Sequence, residues 1–592
     1  MIPGFGPFLD GRFDVAHDLQ AHVYRRTERL LSRWEAVNDA LSTPAEVRAR
    51  QEAVRAALTT SLYGDTFPPF ALGEPPPEAE HRGSVRFGDL VVERMVLRTA
   101  PGVLVPANLW RPAHVPEPAG AVLFVCGHGQ QAKAHPAYQA VCARLAGAGL
   151  VVLVMDPVGQ GERALADRGD GGVSEHTDAG VTCWRAGHSL AAHFVHDARR
   201  GLDLLCARPD VDPARLGITG NSGGGVLTAL MMALEPRLAA AAPGTFVTSR
   251  RAYLWAGQAQ DAEQILPGGT LLGVGHEDLL LAMAPRPALV LAADYDFFPV
   301  DGTLETVSRA ARAYDLLGAP GGLSVARAPV AHGYHPELAR AATAFLARHL
   351  GGTVVSDAEP EILPAGELAC TRQGVFRDHP GTLHVPEPPP AEPASPEQVE
   401  AVVRAHREPP AEFFPRWFDR PEASVPVRHV FWRSERDVWN AGVLAGPPDP
   451  DGTLVVALFE RGTASLPERQ DWIKEKLGTG RAVLVLDVRG TGALAPAPVT
   501  ARPDGAYFGT TYKLMTDLLW LGDSLGAARV HDVLRALAFA RHERLGARIE
   551  LYAEAGQAVH ARWAARLDDE VAAVELRDPV DGWESVIPGI TG

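Results

Sequence analysis

Gly220-Asn221-Ser222-Gly223-Gly224 sets a serine among glycines, a spacing suited to a nucleophile held on a cramped turn. The turn follows an apolar strand, Leu216 to Thr219, and opens a helical run, Val226 to Leu234. Side chains in place of the glycines would collide with the neighbouring strand and helix. A serine hydroxyl is a poor nucleophile until a base takes its proton, and the base needs an orienting carboxylate. Asp296, in Asp294-Tyr295-Asp296-Phe297-Phe298-Pro299, is the candidate acid, with Asp294 and Asp301 as rivals. His332, in Ala331-His332-Gly333-Tyr334-His335, is the candidate base, with His335 as its rival. The chemistry of such a set is acyl transfer, and its tetrahedral intermediate needs two donors aimed at the oxyanion. One is expected from the N–H of Gly223. The other is expected from the loop Cys126-Gly127-His128-Gly129-Gln130-Gln131, with Gln130 N–H preferred. His128 itself reads as structural rather than as a proton carrier. Gly129, Phe297 and Tyr334 are candidate substrate-lining residues, core packing being the ordinary alternative for the two rings.

These residues must be positioned by strands and helices, and the pattern supplies them. Ala121–Val125, Val151–Met155, Leu216–Thr219 and Ala288–Ala292 are short apolar runs. Helical stretches such as 138–148 and 191–207 lie between them. Apolar strands alternating with helices imply a mostly parallel sheet covered on both faces. On such a sheet, catalytic side chains belong on the loops after the strand C-termini. The sequence before residue 85 reads as helical. Thr43-Pro44-Ala45-Glu46 marks one start, with Thr43 as N-cap and Glu46 able to close a capping box. The Pro-rich stretch Val385 to Pro396 is the clearest linker.

Composition bounds the rest. At 592 residues the chain is too long for one ordinary core. Its hydrophobic content of 46% and charged content of 22% are those of a globular protein. The formal net charge of -16 argues against nucleic acid as a partner. No export signal or membrane-length apolar run is visible, so the expected place is the cytoplasm, away from membranes. The five cysteines are scattered and lack CxxC spacing, which predicts neither a disulfide framework nor a zinc cluster. The two Asp-x-x-Gly-x-Gly runs lack the lysine, hydroxyl and third glycine of nucleotide-binding loops and are discounted.

Beyond the linker the chain repeats itself. Gly187-His188-Ser189-Leu190 leading to Val195-His196-Asp197 reappears as Gly522-Asp523-Ser524-Leu525 leading to Val530-His531-Asp532. Asp156-Pro157-Val158-Gly159-Gln160-Gly161 reappears as Asp487-Val488-Arg489-Gly490-Thr491-Gly492, while Gly129 pairs with Gly462 and Gly223 with Gly556. These offsets lie between 331 and 335 residues, so one tandem duplication explains them together. In the second copy the nucleophile position is Ala555, and the sequence offers no counterpart of Asp296 or His332. That copy is expected to be non-catalytic. Its sheet should lack the last strands. It would cover the active copy, form a homo-oligomer contact, or serve as scaffold. The expected division is a helical segment 1–84, a catalytic domain 85–352, a linker 353–397 and a truncated domain 398–592.

Several stretches together resemble the acetyl xylan esterase-like branch of the α/β-hydrolases, with the dienelactone hydrolases as neighbours. They are residues 101–112, Gly127-His128-Gly129, residues 156–163, residues 220–224, residues 296–303 and His332-Gly333-Tyr334. The resemblance covers about residues 85 to 350. It implies an α/β-hydrolase fold and a serine esterase without metal or other cofactor. It also favours Asp296 and His332 over their neighbours. The expected activity is hydrolysis of small or carbohydrate-linked carboxylic esters. A prolyl oligopeptidase-like peptidase is the alternative enzyme, and a non-catalytic scaffold or binding protein the alternative of another class. The mostly helical start counts against a peptidase of that type, which usually carries a β-propeller ahead of its hydrolase domain.

Overall fold

The computed structural model describes residues 1–6, 9–65, 75–115, 117–166, 169–353, 358–387 and 393–590. It contains two compact units. One comprises Arg29–Cys183 and Gly187–Pro390; the other comprises Met1–Glu28, Trp184–Ala186 and Ala391–Gly592. The expected helical segment 1–84 is therefore not a body of its own. The helix Pro44–Tyr63 starts as its sequence indicates: Thr43 Oγ1 accepts from Glu46 N at 3.3 Å, and Glu46 Oε2 accepts from Thr43 N at 3.0 Å. It is tied to the first unit by Gln51 Nε2, which donates to the carbonyls of Leu281 and Ala284 at 2.9 and 2.7 Å.

The first unit is built on a nine-stranded sheet: β1 (Glu78–Phe87), β2 (Leu90–Ala100), β3 (Val103–Pro112), β4 (Ala119–Val125), β5 (Val151–Met155), β6 (Val211–Asn221), β7 (Leu238–Gly244), β8 (Ala288–Tyr295) and β9 (Leu323–Ala331). Their spatial order is β1-β2-β3-β5-β4-β6-β7-β8-β9. Pairing is antiparallel as far as β3–β5 and parallel from β5 to β9. Val122, Phe124, Val152 and Val154 point to one face and are buried with the helices Pro136–Gly147 and Pro336–Leu350. The helices Ala191–Cys206 and Gly223–Leu234, also largely buried, follow β5 and β6 in the chain. The first strand begins at Glu78, earlier than the sequence suggests. It is an edge strand with no buried residue, so it carries no apolar alternation to read.

The stretch 353–397, expected to be linker, is partly structured. Leu368 and Cys370 are buried, Asn108 Nδ2 donates to the Leu368 carbonyl at 3.0 Å, and Cys370 N donates to both oxygens of Glu162 at 3.0 Å. Isolated apolar residues in a Pro-rich surrounding were enough to anchor it. Residues 354–357 and 388–392 of the expected linker lie outside the described residues.

The second unit holds a seven-stranded sheet: β10 (Arg416–Asp419), β11 (Val427–Glu435), β12 (Val438–Ala445), β13 (Asp449–Leu458), β14 (Ala482–Asp487), β15 (Gly546–Glu554) and β16 (Val571–Arg577). Its order, β10-β11-β12-β14-β13-β15-β16, repeats that of β1 to β7. Counterparts of β8 and β9 are absent among the described residues, and β16 is left as an edge.

The two Asp-x-x-Gly-x-Gly runs have a structural task. Asp156 accepts from the N–H groups of Lys133 and Glu162, each at 3.1 Å, and pairs with Lys133 Nζ at 2.7 Å. Asp487 accepts from Thr463 N and Oγ1, both at 2.6 Å, and from Ala493 N at 2.9 Å. In the second copy the residue whose N–H meets the carboxylate is Thr463 rather than a lysine. Burial therefore prevails over the hydrogen bonds and pushes the Asp487 carboxyl up to about 7. A raised carboxyl favours the folded state fully below its unfolded value of 3.8 and loses that contribution as pH rises towards about 7. The stability of the second unit, and with it its thermal midpoint, should fall across this window through this group. Asp487→Asn should flatten that slope. The same slope in both proteins would show that Asp487 is ionised when folded.

Candidate active site

Ser222 stands between the end of β6 and the helix Gly223–Leu234, with φ 58° and ψ -116°. Such angles cost a non-glycine residue of order 1–3 kcal/mol and persist only where the surroundings enforce them. Here Ser222 N donates to the Gly244 carbonyl at 3.0 Å, stitching the turn to the end of β7. Thr245 Oγ1 donates to Asn221 Oδ1 at 2.6 Å beside it. The glycines are required sterically. A Cβ on Gly220 would lie 2.2 Å, and one on Gly224 2.0 Å, from the backbone oxygen of Val125. The helix thereby starts close against the end of β4. Ser222 is only 8% exposed.

β8 and β9 run parallel to β6, so the loops that follow them emerge on the same edge of the sheet as Ser222. The structure brings Asp296 and His332 together there. His332 Nδ1–H donates to both carboxylate oxygens of Asp296 at 2.9 Å. Asp296 is also held by Phe298 N at 3.1 Å, and its side chain is 2% exposed. This pairing fixes the ring's tautomer and leaves Nε2 with its lone pair. Among the described residues no hydrogen bond joins Nε2 to Ser222 Oγ, a contact that commonly tightens only with substrate in place. The rivals are placed differently. Asp294 pairs with Arg327 at 2.9 Å, Asp301 is exposed in the first turn of the helix Val300–Leu316, and His335 caps the helix Pro336–Leu350.

Phe297 is 42% exposed, and its ring centroid lies 4.4 Å from that of His332. Tyr334, expected as a lining residue, is instead core. It is 5% exposed, its hydroxyl shares a 2.7 Å hydrogen bond with Thr219 Oγ1, and it packs on Phe124. A buried phenol needs one partner, and Thr219, at the end of β6, supplies it.

Gly223 N–H, first in its helix, has no intrahelical acceptor and is available as a donor. In the loop after β4, Gly129 N is committed to Gln160 Oε1 at 2.8 Å, so Gly129 serves the loop's own shape rather than a substrate. Gln130 is exposed, and its carbonyl accepts from Gly161 N at 3.1 Å.

His128 belongs to a cluster that the sequence did not announce. Its Nε2 lies 3.2 Å from His176 Nδ1, 3.3 Å from Asp261 Oδ2 and 3.7 Å from Glu263 Oε1. Burial pushes the His128 ring down, but Glu263 and Asp261 outweigh it and raise it to about 9. Burial likewise raises Glu263 despite the two rings. Glu263 lies close to the oxyanion donor: a Cβ on Gly223 would be 2.1 Å from its Oε1. Asp261 and Glu263 carry no motif and come close to the histidines only through folding.

In the second unit Ala555 keeps the bend without the chemistry. Its φ is 47°, and its N donates to the Arg577 carbonyl at 3.1 Å, as Ser222 N does to Gly244.

Comparison with known proteins came to the following. Residues 92–253 match the family model described as acetyl xylan esterase (AXE1), a span that holds Gly129 and Ser222 and stops short of Asp296 and His332. No curated protein sequence matches the chain. Among solved structures, Methylesterase BT1017 is 20% identical with a TM-score of 0.46, over 58% of this chain and 73% of that one. A glucuronoyl esterase from Solibacter usitatus is 16% identical with a TM-score of 0.38, over 50% of this chain and 91% of that one. A CE15 glucuronoyl esterase from Teredinibacter turnerae T7901 is 18% identical with a TM-score of 0.38, over 52% and 86%. Residues 92–253 are thus similar to the acetyl xylan esterase family, within a sheet of the α/β-hydrolase kind.

Two substitutions test the account of the bend. Gly224→Ala should destabilise the first unit by more than about 1–3 kcal/mol, because its Cβ meets backbone that cannot step aside. Ala555→Gly should stabilise the second unit by up to about 1 kcal/mol by releasing the strain. Thermal melting of both variants measures this, and a lower midpoint for Ala555→Gly would contradict it.

Proposed function

We propose that the first unit is a serine carboxylesterase that hydrolyses small or carbohydrate-linked esters through an acyl-enzyme. The observation that carries this reading is the buried Asp296 holding His332, on the sheet edge where Ser222 occupies its strained bend. In the first half-reaction Ser222 Oγ attacks the ester carbonyl carbon, and its proton passes to His332 Nε2. Asp296 orients the ring and stabilises the imidazolium that forms. The oxyanion is received by Gly223 N–H, with Gln130 N–H as the second donor. Collapse of the intermediate breaks the ester C–O bond, and His332 returns the proton to the departing alcohol. Water, deprotonated by the same ring, then attacks the acyl-serine and releases the carboxylic acid. The half-exposed Phe297 beside His332 would bound the alcohol or acyl side. The family description of the matched span names an ester of a carbohydrate, which supports sugar-borne acyl groups as the substrate class.

A fluorophosphonate probe should label the full chain, and Ser222→Ala should abolish labelling. Absence of labelling in the parent would overturn the serine mechanism. With acetyl, propionyl and feruloyl esters beside a peptide, turnover is expected on esters; cleavage of the peptide alone would make the unit a peptidase. Asp296→Asn should lower kcat by roughly 10⁴ through loss of ring orientation, while Asp294→Asn should leave it nearly unchanged. The opposite ranking would reassign the acid.

A further inference from the structure

We propose that His128 Nε2, His176 Nδ1, Asp261 and Glu263 form a tetrahedral site for a divalent transition metal, zinc by preference, which pins the oxyanion loop.

The ligand set is the first support. Imidazole nitrogens and carboxylate oxygens are borderline and hard donors respectively, a mixture that zinc accepts. Their separations are the second. With bonds of about 2.0–2.1 Å, the edge of a tetrahedron around zinc is about 3.3 Å. Here the two rings lie 3.2 Å apart, and each carboxylate meets them through different oxygens: Asp261 Oδ1 is 3.0 Å from His176 Nδ1 and its Oδ2 3.3 Å from His128 Nε2, while Glu263 Oε1 is 3.7 Å from His128 Nε2 and its Oε2 4.0 Å from His176 Nδ1. One donor atom from each residue can be chosen so that all lie within 4.8 Å of one another.

The outer contacts agree. His176 Nε2–H donates to the Val158 carbonyl at 2.7 Å. A ring fixed through one nitrogen by a backbone carbonyl presents the lone pair of the other, which is how metal-bound histidines are usually held. In the neutral ring that lone pair faces a carboxylate oxygen of Asp261, an arrangement of acceptor against acceptor that a cation resolves. Asp261 Oδ2 and Glu263 Oε1 are buried and find no hydrogen-bond donor among the described residues, and their side chains are only 3% and 4% exposed. Buried carboxylate oxygens without donors are costly unless a cation meets them.

With four protein ligands the site is closed, so the ion is structural rather than a carrier of water or substrate. It would join three segments that are distant in sequence: the loop after β4, the helix Val173–Arg185 and the turn Ala262–Gln264. His128 adjoins Gly129 and Gln130, so the ion would hold the second oxyanion donor in place. It would also cancel the negative charge of Glu263 beside Gly223. This link to catalysis rests on the serine-hydrolase reading; the metal site itself does not.

The test uses the full chain, stripped with chelator and titrated with Co²⁺ and then Zn²⁺. Expected are one Co²⁺ per chain, the strong visible d–d absorption of four-coordinate cobalt without a thiolate charge-transfer band, and bleaching by Zn²⁺. His176→Gln and Asp261→Asn should each weaken Zn²⁺ binding by roughly 10- to 100-fold or more, with circular dichroism checking that each is folded. The unmodified chain decides the matter even if both variants fail to fold. Overturning results are no stoichiometric binding, a cobalt–thiolate spectrum that moves the ion to Cys183, or affinity unchanged in folded variants. In any of these the cluster is a proton-bridged set of His128, His176 and two carboxylates. Fluorophosphonate labelling of Ser222, read on the same samples, reports separately on the hydrolase.

Discussion

The chemistry of the first unit depends on how closely the turn after β6 approaches the end of β4. The backbone oxygen of Val125 occupies the space that side chains at positions 220 and 224 would need. That closeness starts the helix Gly223–Leu234 immediately after β6 and forces Ser222 to a positive φ. It also sets the N–H of Gly223 beside the loop that leaves β4, where Gly129 and Gln130 stand. The proposed nucleophile and oxyanion donors are thus positioned by one parallel pairing, β4 with β6. The proposed acid and base depend on two more, since β8 and β9 deliver Asp296 and His332 at the same edge. The strain at Ser222 is borne by the hydrogen bond to Gly244 and by the packing of β7 against β6.

The second unit shows what the same backbone does without that chemistry. The order of its strands is retained, and so is the bend at Ala555, although that residue carries no hydroxyl. A positive φ at alanine serves no reaction there. It persists because the pairing of β15 with β13 and β16 dictates the path of the chain, as β6 with β4 and β7 dictates it in the first unit. The bend is therefore a property of the sheet, and the serine exploits it. Sheet topology outlives the triad because it carries the core, whereas the triad carries only catalysis.

Much of this was legible in the sequence because it is local. β5 coincides with the apolar run Val151–Met155, the capping box at Thr43 is written in four consecutive residues, and the bend at Ser222 is declared by its glycines. Asp296 and His332 sit in short strings after apolar strands, so their neighbourhood could be read, though only the 2.9 Å contact separates Asp296 from Asp294. What could not be read depends on partners far away in the chain. β1 is polar because it lies at an edge, and polarity hides a strand. Tyr334 looked like a lining residue until Thr219 accounted for its hydroxyl. Asp261 and Glu263 are two acids in a run without periodicity, and their meaning arises only when His128 and His176 are folded against them.

That last group raises the sharpest physical question in the molecule, because it sets buried negative charge beside a site meant to receive an anion. A carboxylate near Gly223 would oppose the developing oxyanion, and in a low-dielectric interior the opposition is strong. Evolution could have removed it by a neutral residue at position 263. Its presence, with the imidazoles of His128 and His176 turned towards it, is offset where the local charge is balanced by a cation, whether a metal or ring protons, and burial itself favours the uncharged acid at Glu263. In either form the balance has a mechanical effect. It ties the loop after β4 to elements that lie outside the sheet, so that the donor geometry at the oxyanion is set by ion pairing as well as by backbone pairing. That loop is also held by Gln160 and Gly161, through hydrogen bonds to Gly129 and Gln130. Electrostatics would thus add, for the proposed second oxyanion donor, to the rigidity that the close approach of β4 and β6 gives to the first.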